Sequence, residues 1–263
     1  MRENYTLPRL YIEDSLTAGA QIALPREVTH YLTKVIRKTE GDSVRVFNGV
    51  SGEWRAVIET VSKKSTHLVV QEELRGPAPA PDITLLFAPV RKHRTAFIIE
   101  KGTELGVRGF QPVLTSRTQF PRLNIDKARL QAIEAAEQTE RLDVPEIKAV
   151  RPLLEVLDAW DDTPIIFADE AGDAEPAHEV CTKLSAPVAI LIGPEGGFTD
   201  AEREELRAMK NVHPVTLGAR ILRADTAAIA LLSVWQSVSG DWWQFRNVNI
   251  VPTLSLIHIS EPT

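Results

Sequence analysis

The segment LIGPEGGFTDAERE, residues 191–204, is the part of this sequence that most strongly specifies a fold. An apolar run of strand type ends in a glycine-rich turn. Thr199 and Glu202 follow with the spacing of a capping box, in which each side chain satisfies a backbone amide near the other residue. A helix is therefore predicted to begin at Asp200. Strand, glycine turn and helix in this order are typical of a ligand-binding turn in an α/β domain.

The composition of this turn argues against the two common phosphate-binding fingerprints. A Walker loop needs GxxxxGK[ST], whereas this turn has no lysine and carries an acid, Glu195. A dinucleotide fold needs GxGxxG after its first strand, and that spacing is absent here. Gly196 and Gly197 allow a ligand to approach the backbone closely and allow a positive φ. The turn therefore predicts a neutral or cationic ligand, and the alternative is a tight turn without a ligand.

A second segment of the same kind lies 26 positions further along, LGARILRADTAA at residues 217–228. It too follows an apolar strand, turns at a glycine and enters a helix. Its apolar residues stand beside one arginine and one aspartate, Arg223 and Asp225. Two adjacent turns, one acidic and glycine-rich and the other apolar, can form a slot for an adenosyl group whose base is contacted by backbone amides.

The rest of the chain predicts two domains. Residues 83–245 alternate strands such as ITLLFAPV and PVAILIG with helices such as DKARLQAIEAAEQTERL, which predicts an α/β domain with a largely parallel sheet. Residues 1–75 are mostly strand-like and predict a small barrel, and the proline-rich segment 76–82 predicts a linker. The tail, residues 246–263, has no clear pattern and carries no weight in the interpretation.

One helix is predicted within the first 75 residues, over REVTHYLTKVIRK. Its apolar positions share one face at helical spacing. They are Val28, Tyr31, Leu32, Val35 and Ile36.

Composition and charge narrow the functional classes. The 263 residues carry a formal net charge of −6, yet residues 86–130 hold nine Lys/Arg against three Asp/Glu, and residues 131–210 hold seven against nineteen. This asymmetry predicts a basic face beside an acidic one, or else ordinary solvated helix faces. The single cysteine, Cys181, and histidines without ligand spacing predict no disulfide and no metal site. With no long apolar run, we expect a cytoplasmic protein that does not enter a membrane.

The two glycine turns together resemble the paired signature of the SPOUT methyltransferases, most closely the RsmE family, which makes N3-methyluridine in 16S ribosomal RNA of the small subunit. The segments EKGTELGV (residues 100–107), AAEQTERLDVPEI (135–147) and PRLYI (8–12) resemble further blocks of that family in the same order. The resemblance covers residues 7–243. It implies a SPOUT catalytic domain with a parallel sheet threaded into a trefoil knot, and an N-terminal PUA-like β-barrel that binds RNA.

The resemblance also implies a cofactor, S-adenosylmethionine, held in the knot mainly by backbone groups. Phe167 at the end of PIIFADE, with the residues up to Glu170, is expected to form a third wall of its site. The two turns are expected to supply the other contacts, from Gly193, Glu195, Gly196, Gly197, Leu217, Gly218, Ile221, Leu222 and Arg223.

For the reaction, the resemblance implies removal of the N3 proton of uridine, because the protonated nitrogen is a poor nucleophile. Arg223 is expected to stabilise an anionic uracil oxygen, since a guanidinium does not give up its proton. Asp225 is the candidate base, although family members more often have T-E-T where this chain has Ala224-Asp225-Thr226. The alternative for Asp225 is a carboxylate that caps the helix N-terminus.

The implied partners are the small ribosomal subunit and a second copy of the chain, packed through the helix TAAIALLSVWQSV. Phosphate contacts are expected from the basic segment and from Arg9 of the barrel, and substrate contacts from the EQTER block. The residues are Arg9, Arg91, Lys92, Arg94, Arg117, Arg122, Gln138 and Arg141. Three alternatives stay open: another SPOUT target such as transfer RNA or a ribose 2′-oxygen, an inactive RNA-binding assembly factor, and, least favoured, a nucleotide-dependent phosphotransferase.

Overall fold

The computed structural model describes residues 3–62, 65–171 and 173–242, and the predicted tail at 246–263 lies outside the described residues. The described part of the chain contains two β-sheets. The first sheet ends with a strand that finishes at Arg75. The second sheet starts with a strand at Ile83, so the proline-rich segment joins the two.

The first sheet has five strands in the order β1-β3-β4-β5-β2. β1 runs parallel to β3, and the other neighbours are antiparallel. Buried Ile22 and Leu24 alternate with exposed residues on β2, which is the pattern of a sheet with one face on a core. The closed barrel stays a prediction. The strands are β1 (Arg9–Tyr11), β2 (Gln21–Leu24), β3 (Ser43–Phe47), β4 (Glu53–Val61) and β5 (Thr66–Arg75).

The helix predicted in this region is shorter and less regular than its apolar pattern suggested. α1 covers Arg26–His30 and continues into one π-helical turn, Tyr31–Val35. The amide of Ile36 donates to the carbonyl of Tyr31 over 3.1 Å, and this i+5 bond widens the turn. Leu32 is fully buried, but Tyr31 and Val35 are 42% and 61% exposed. The prediction of one shared apolar face was therefore wrong for these two residues.

The second sheet is parallel at every described strand pair, which confirms the α/β prediction. Its order is β11-β13-β10-β12-β6-β7-β8, and the short β9 pairs with β7. The strands are β6 (Ile83–Phe87), β7 (Gly109–Leu114), β8 (Glu146–Ile147), β9 (Arg151–Pro152), β10 (Ile165–Ala168), β11 (Glu175–Pro176), β12 (Val188–Ile192) and β13 (Val212–Thr216).

Helices cover both faces of this sheet. Leu85 and Ile190 point into a core that contains Trp235, whereas Leu86 and Leu191 point into a second core on the opposite face. Of the described helices, none is both long and apolar enough to cross a membrane. The helices are α2 (Lys92–Glu104), α3 (Ile125–Gln138), α4 (Leu153–Asp158), α5 (Ala177–Cys181), α6 (Asp200–Ala208) and α7 (Ala224–Val238).

The predicted start of α6 is confirmed. The Thr199 hydroxyl accepts from the amide of Glu202 over 3.2 Å, and the Glu202 carboxylate accepts from the amide of Thr199 over 2.9 Å. Glu202 also accepts from the amide of Ser116 over 2.7 Å. The capping box therefore fixes both the helix and the loop after β7 beside the glycine turn.

Candidate functional site

A cavity of about 530 Å³ lies at the carboxyl ends of β10, β12 and β13. Ligands of parallel α/β sheets bind at this edge, because the loops that follow the strands converge there. Three such loops and the first turn of α7 form its walls. The lining residues are Ala168, Asp169, Glu170, Ala171, Ile192, Gly193, Pro194, Glu195, Gly197, Val215, Thr216, Leu217, Gly218, Ala219, Arg220, Ile221, Leu222, Ala224 and Ala227.

Two glycines of the first turn are required by its own packing. Gly197 has φ +65°, and a Cβ there would lie 2.3 Å from a carboxylate oxygen of Glu170. A Cβ on Gly193 would lie 2.5 Å from the ring of Phe198. Glu170 in turn accepts a hydrogen bond from the amide of Phe198 over 3.0 Å. The turn after β12 and the loop after β10 are therefore packed together without room for side chains at these positions.

Gly196 was predicted to contact the cofactor, but it lies outside the cavity wall. A Cβ on this residue would meet the side chain of Arg117 at 3.3 Å. The Arg117 guanidinium donates to the carbonyls of Gly196 and Phe198 over 2.9 and 3.1 Å. The cofactor contact of Gly196 therefore stays a prediction, and the predicted phosphate contact, Arg117, holds the turn through these two carbonyls.

The third wall was predicted one residue too early. Phe167 is fully buried and packs edge-on against Phe198, with ring centroids 4.9 Å apart, so it belongs to the core beneath the cavity. The wall itself is Ala168, the last residue of β10, and the loop 169–171. Strand alternation explains the error, because neighbouring side chains of a strand point to opposite faces, and Phe167 points into the core.

Two arginines of α6 that were not predicted from the sequence hold this third wall. Arg207 Nε donates to Asp169 over 2.8 Å, and Arg203 Nη2 donates to Glu170 over 2.9 Å. The Asp169 side chain is fully buried. The sequence does show that Arg203 and Arg207 are four residues apart and so lie on the same face of α6. It does not show that this face meets Asp169 and Glu170.

The second turn forms the rim of the cavity. Gly218 has φ +101°, and its amide donates to the hydroxyl of Thr216 over 3.2 Å. Ile221 lines the cavity and is 90% exposed. Leu217 and Leu222 line it too and are partly buried. The rim thus presents an apolar side chain that has little contact with the rest of the protein.

Arg223 and Asp225 stand at the start of α7 beside this rim. Arg223 is the N-cap residue, with an exposed side chain, and stands between Leu222 and Ala224, which both line the cavity. Its contact with the cofactor stays a prediction. Asp225 lies in the first helical turn and not at the N-cap. Its carboxylate pairs with Arg94 Nη1 over 3.3 Å, and both side chains are 18% exposed. Arg94, predicted to contact phosphate, instead joins α2 to α7.

The remaining predicted RNA contacts divide into exposed and internal residues. Arg91, Lys92, Arg122 and Gln138 are exposed. Arg94 pairs with Asp225, so the start of α2, where Arg91 and Lys92 stand, meets the first turn of α7, whose Ala224 and Ala227 line the cavity. These four exposed side chains are accessible to RNA, a polyanion.

The predictions for Arg9 and Arg141 were wrong. The Arg9 side chain is 3% exposed, and its guanidinium donates to Glu53 and to three backbone carbonyls. The Arg141 side chain is 8% exposed, and it donates to Asp143 over 2.7 Å and to the carbonyl of Thr103 over 2.8 Å. Both guanidinium groups act inside the protein, because each donates to acceptors within the fold, and most of these are distant in the sequence.

Two family models match the chain. One describes an RNA methyltransferase domain and covers residues 77–236, which include the parallel sheet and the cavity. The other describes an RNA methyltransferase PUA domain and covers residues 24–71 of the first sheet. The boundary between the two matches falls close to the end of β5.

Characterised relatives are similar over most of the chain. Ribosomal RNA small subunit methyltransferase E of Rickettsia conorii is 32% identical over 86% of this chain and 93% of its own length. The protein of that name from Synechocystis is 33% identical over 86% of this chain and 76% of its own length. The crystal structure of ribosomal RNA small subunit methyltransferase E from Neisseria gonorrhoeae, bound to S-adenosyl methionine, superposes with a TM-score of 0.80 at 27% identity and covers 90% of this chain and 99% of that one.

Proposed function

Since this chain belongs to the ribosomal RNA small subunit methyltransferase E family, we propose that it transfers a methyl group from S-adenosylmethionine to N3 of a uridine in the 16S ribosomal RNA of the small subunit. The observation that carries the proposal is the cavity at the ends of three parallel strands, with two glycine turns on its wall. Its site of action is the cytoplasm, the compartment expected from the sequence.

The chemistry of the walls fits S-adenosylmethionine. A volume of about 530 Å³ is within the range of pockets that enclose ligands of this size. Backbone groups at Gly193 and at 217–220 would contact the adenosyl group, and the side chains of Ile192, Leu217 and Ile221 would cover the faces of its base. The carboxylate of Glu195 would attract the cationic methionine portion. When bound, this cofactor supplies a methyl group activated by a positively charged sulfur.

The chain's own residues must then make uridine N3 nucleophilic. The guanidinium of Arg223 is cationic and exposed at the rim, so it would stabilise negative charge on a uracil oxygen. The pairing with Arg94 fixes the direction of the Asp225 carboxylate. We assign the larger part of the activation to Arg223, with Asp225 receiving the proton.

The proposed RNA path starts at the exposed residues near the cavity. Arg91 and Lys92 would contact phosphates beside the target nucleotide, and Arg122 and Gln138 would contact the flanking RNA. The target base must leave its stack to reach the cavity. This local positive surface explains how a chain with a net charge of −6 binds a polyanion.

We also propose a homodimer that packs through α7. Support comes from Ile229 and Ala230, which stay partly exposed on this largely apolar helix, whereas Leu231 and Trp235 are fully buried in the chain's own core. Light scattering of the protein as it elutes from a size-exclusion column should give twice the mass of one chain. A mass of one chain at micromolar concentration would refute the dimer.

The test of the function has two stages. Calorimetric titration with S-adenosylmethionine is expected to show one site per chain. Incubation with small ribosomal subunits that lack the modification is expected to give N3-methyluridine, identified by mass spectrometry of the digested RNA. Binding without transfer would favour a different RNA target. Absence of binding would refute the enzyme and favour an RNA-binding assembly factor.

A further inference from the structure

The first sheet and the catalytic domain are joined by an ionic cluster that we call the Arg9 network, in which Arg9, Arg45 and Glu53 are buried and Arg75 and Glu140 are about one-third exposed. Four of these residues lie on strands of the first sheet, and Glu140 follows α3. We propose that the Arg9 network is a rigid joint that holds the first sheet in one position relative to the cavity, and that its members are positioning residues for the RNA substrate.

Arg9 makes the central contact across the junction. Its Nη1 donates to the carbonyls of Ala136 and Glu137 over 2.8 and 2.9 Å, and its Nη2 donates to the carbonyl of Arg141 over 2.8 Å. These carbonyls belong to the last turn of α3 and the chain just beyond it, where helical partners run out. A cation is favoured there by the helix dipole as well. A side chain of the first sheet therefore caps a helix of the catalytic domain.

Two carboxylates connect the three arginines. Glu53 is 2% exposed and accepts from Arg9 Nε over 2.7 Å and from Arg75 Nε over 2.8 Å. Glu140 accepts two hydrogen bonds of 2.7 Å from Arg45 and one of 3.0 Å from Arg75. Bidentate pairing fixes orientation as well as distance. The third positive charge is offset by the carbonyls at the end of α3.

Glu140 shows that the joint is built at a conformational cost. Its φ is +60°, a value that non-glycine residues other than asparagine and aspartate seldom adopt. Glycine or asparagine would fit that backbone more easily. A glutamate here is explained by its side chain, which spans the distance to Arg45 and Arg75 and links the two domains.

The joint continues to the cavity through α2. Arg141, next to Glu140, donates to the carbonyl of Thr103 in the last turn of α2 over 2.8 Å. At the other end of this 13-residue helix, Arg94 pairs with Asp225 of α7. The Arg9 network, α2 and the start of α7 are thus connected by direct contacts. RNA that binds the first sheet is held in register with the cavity, and this part of the inference rests on the proposed function.

The test compares Glu140→Asn with a matched control. Asparagine suits the positive φ but is too short to reach both arginines. The control, Glu72→Gln, breaks the pair of Glu72 with Arg55, which are 3.1 Å apart on the same sheet and are not members of the Arg9 network. We expect Glu140→Asn to raise KM for small subunits about tenfold, because a mobile first sheet lowers the effective concentration of RNA at the cavity. In Glu140→Asn, the affinity for S-adenosylmethionine measured by calorimetry and the kcat should both stay within about twofold of wild type. In Glu72→Gln, the KM, the cofactor affinity and the kcat should all be unchanged.

The rigidity itself is measured by distances between spin labels. Val35 and Leu154, one in each domain, are 61% and 43% exposed and are replaced by cysteine. The native Cys181 is buried, and burial raises the pKa of its thiol to about 11, so it reacts poorly with the label. We expect a narrow distance distribution that broadens in Glu140→Asn and not in Glu72→Gln.

An unchanged distance distribution in Glu140→Asn would overturn the rigid joint, whether or not the wild type methylates RNA. A broadened distribution with unchanged KM, measured on a wild type that is active, would overturn the role in RNA register. If wild type shows no transfer, the proposed function fails, and the label distances still decide the joint.

Discussion

The cavity and the Arg9 network are built in opposite ways. The cavity wall includes two glycine turns and an apolar side chain, Ile221, that is 90% exposed. The Arg9 network consists of long charged side chains whose donors end on carboxylates and carbonyls inside the protein. The groups that line the cavity remain available to a ligand, whereas the charged groups of the Arg9 network are bonded to one another and to carbonyls of the folded protein. Substitutions at the first should change affinity or rate, and substitutions at the second should change stability.

The largest expected effect is on the Arg9 network. Arg9→Ala leaves Glu53, which is 2% exposed, short of one partner and uncaps the end of α3. We expect the free energy of unfolding to fall by about 3 kcal/mol or more. In Arg129→Ala, which breaks a pair with Glu13 whose side chains are 49% and 67% exposed, the loss should stay below about 1 kcal/mol. Urea unfolding measures both, and equal losses would contradict the distinction between buried and exposed pairs.

At the rim of the cavity, Arg223→Ala should lower the rate of methyl transfer. The side chain is exposed and caps nothing with its own atoms, so the fold should stay intact. Loss of its charge near the uracil should lower the rate of methyl transfer by about 10²–10³-fold. Arg223→Lys keeps a charge and should retain part of the rate. Single-turnover assays with saturating cofactor measure it, and near-normal turnover of Arg223→Ala would remove this residue from the mechanism.

Gly197→Ala tests whether the first turn tolerates a side chain. The new Cβ would lie 2.3 Å from Glu170 at a residue with φ +65°. We expect affinity for S-adenosylmethionine to fall by about 2 kcal/mol or more. Gly19→Ala is the matched control, since Gly19 has φ +82° with nothing within 4 Å of the added atom. It adds a side chain at a positive φ outside the cavity lining, so a loss of affinity shared by both variants would be a general effect on the fold. Calorimetric titration of both variants should separate them, and equal affinities would show that the contact with Glu170 does not shape the site.

The smallest expected effect is a pH dependence at the edge of the Arg9 network. Burial raises the pKa of Glu137 from 4.5 to about 7, although the hydrogen bond from the amide of Tyr11 opposes the shift. The folded state holds this proton more tightly, so its contribution is complete below about pH 4.5 and is lost as pH rises to about 7. Glu137→Gln mimics the protonated form.

We therefore expect Glu137→Gln to match wild type near pH 4 and to exceed it by about 1–3 kcal/mol near pH 8. Unfolding curves across this range provide the measurement. A constant difference between the two proteins at all pH values would show that Glu137 does not titrate in this window.

The same contrast explains what could be predicted from the sequence. The turn after β12, the capping box at Thr199 and the parallel sheet depend on neighbouring residues, and the sequence predicted them. Arg9 has partners 44 to 132 positions away, so no local pattern distinguishes it from a surface arginine. Phe167 was misplaced for a related reason: the pattern identifies the end of a strand, but which of its side chains face the cavity depends on packing, here against Phe198.

The exposure of Ile221 has a thermal consequence. A large aliphatic side chain that is 90% in water at the rim of a cavity orders water around it until something covers it. Covering it with an adenine ring would remove apolar surface from water on both partners, and that change makes the heat capacity of binding negative. The enthalpy of cofactor binding should therefore become more favourable as temperature rises, and Ile221→Ser should flatten that slope.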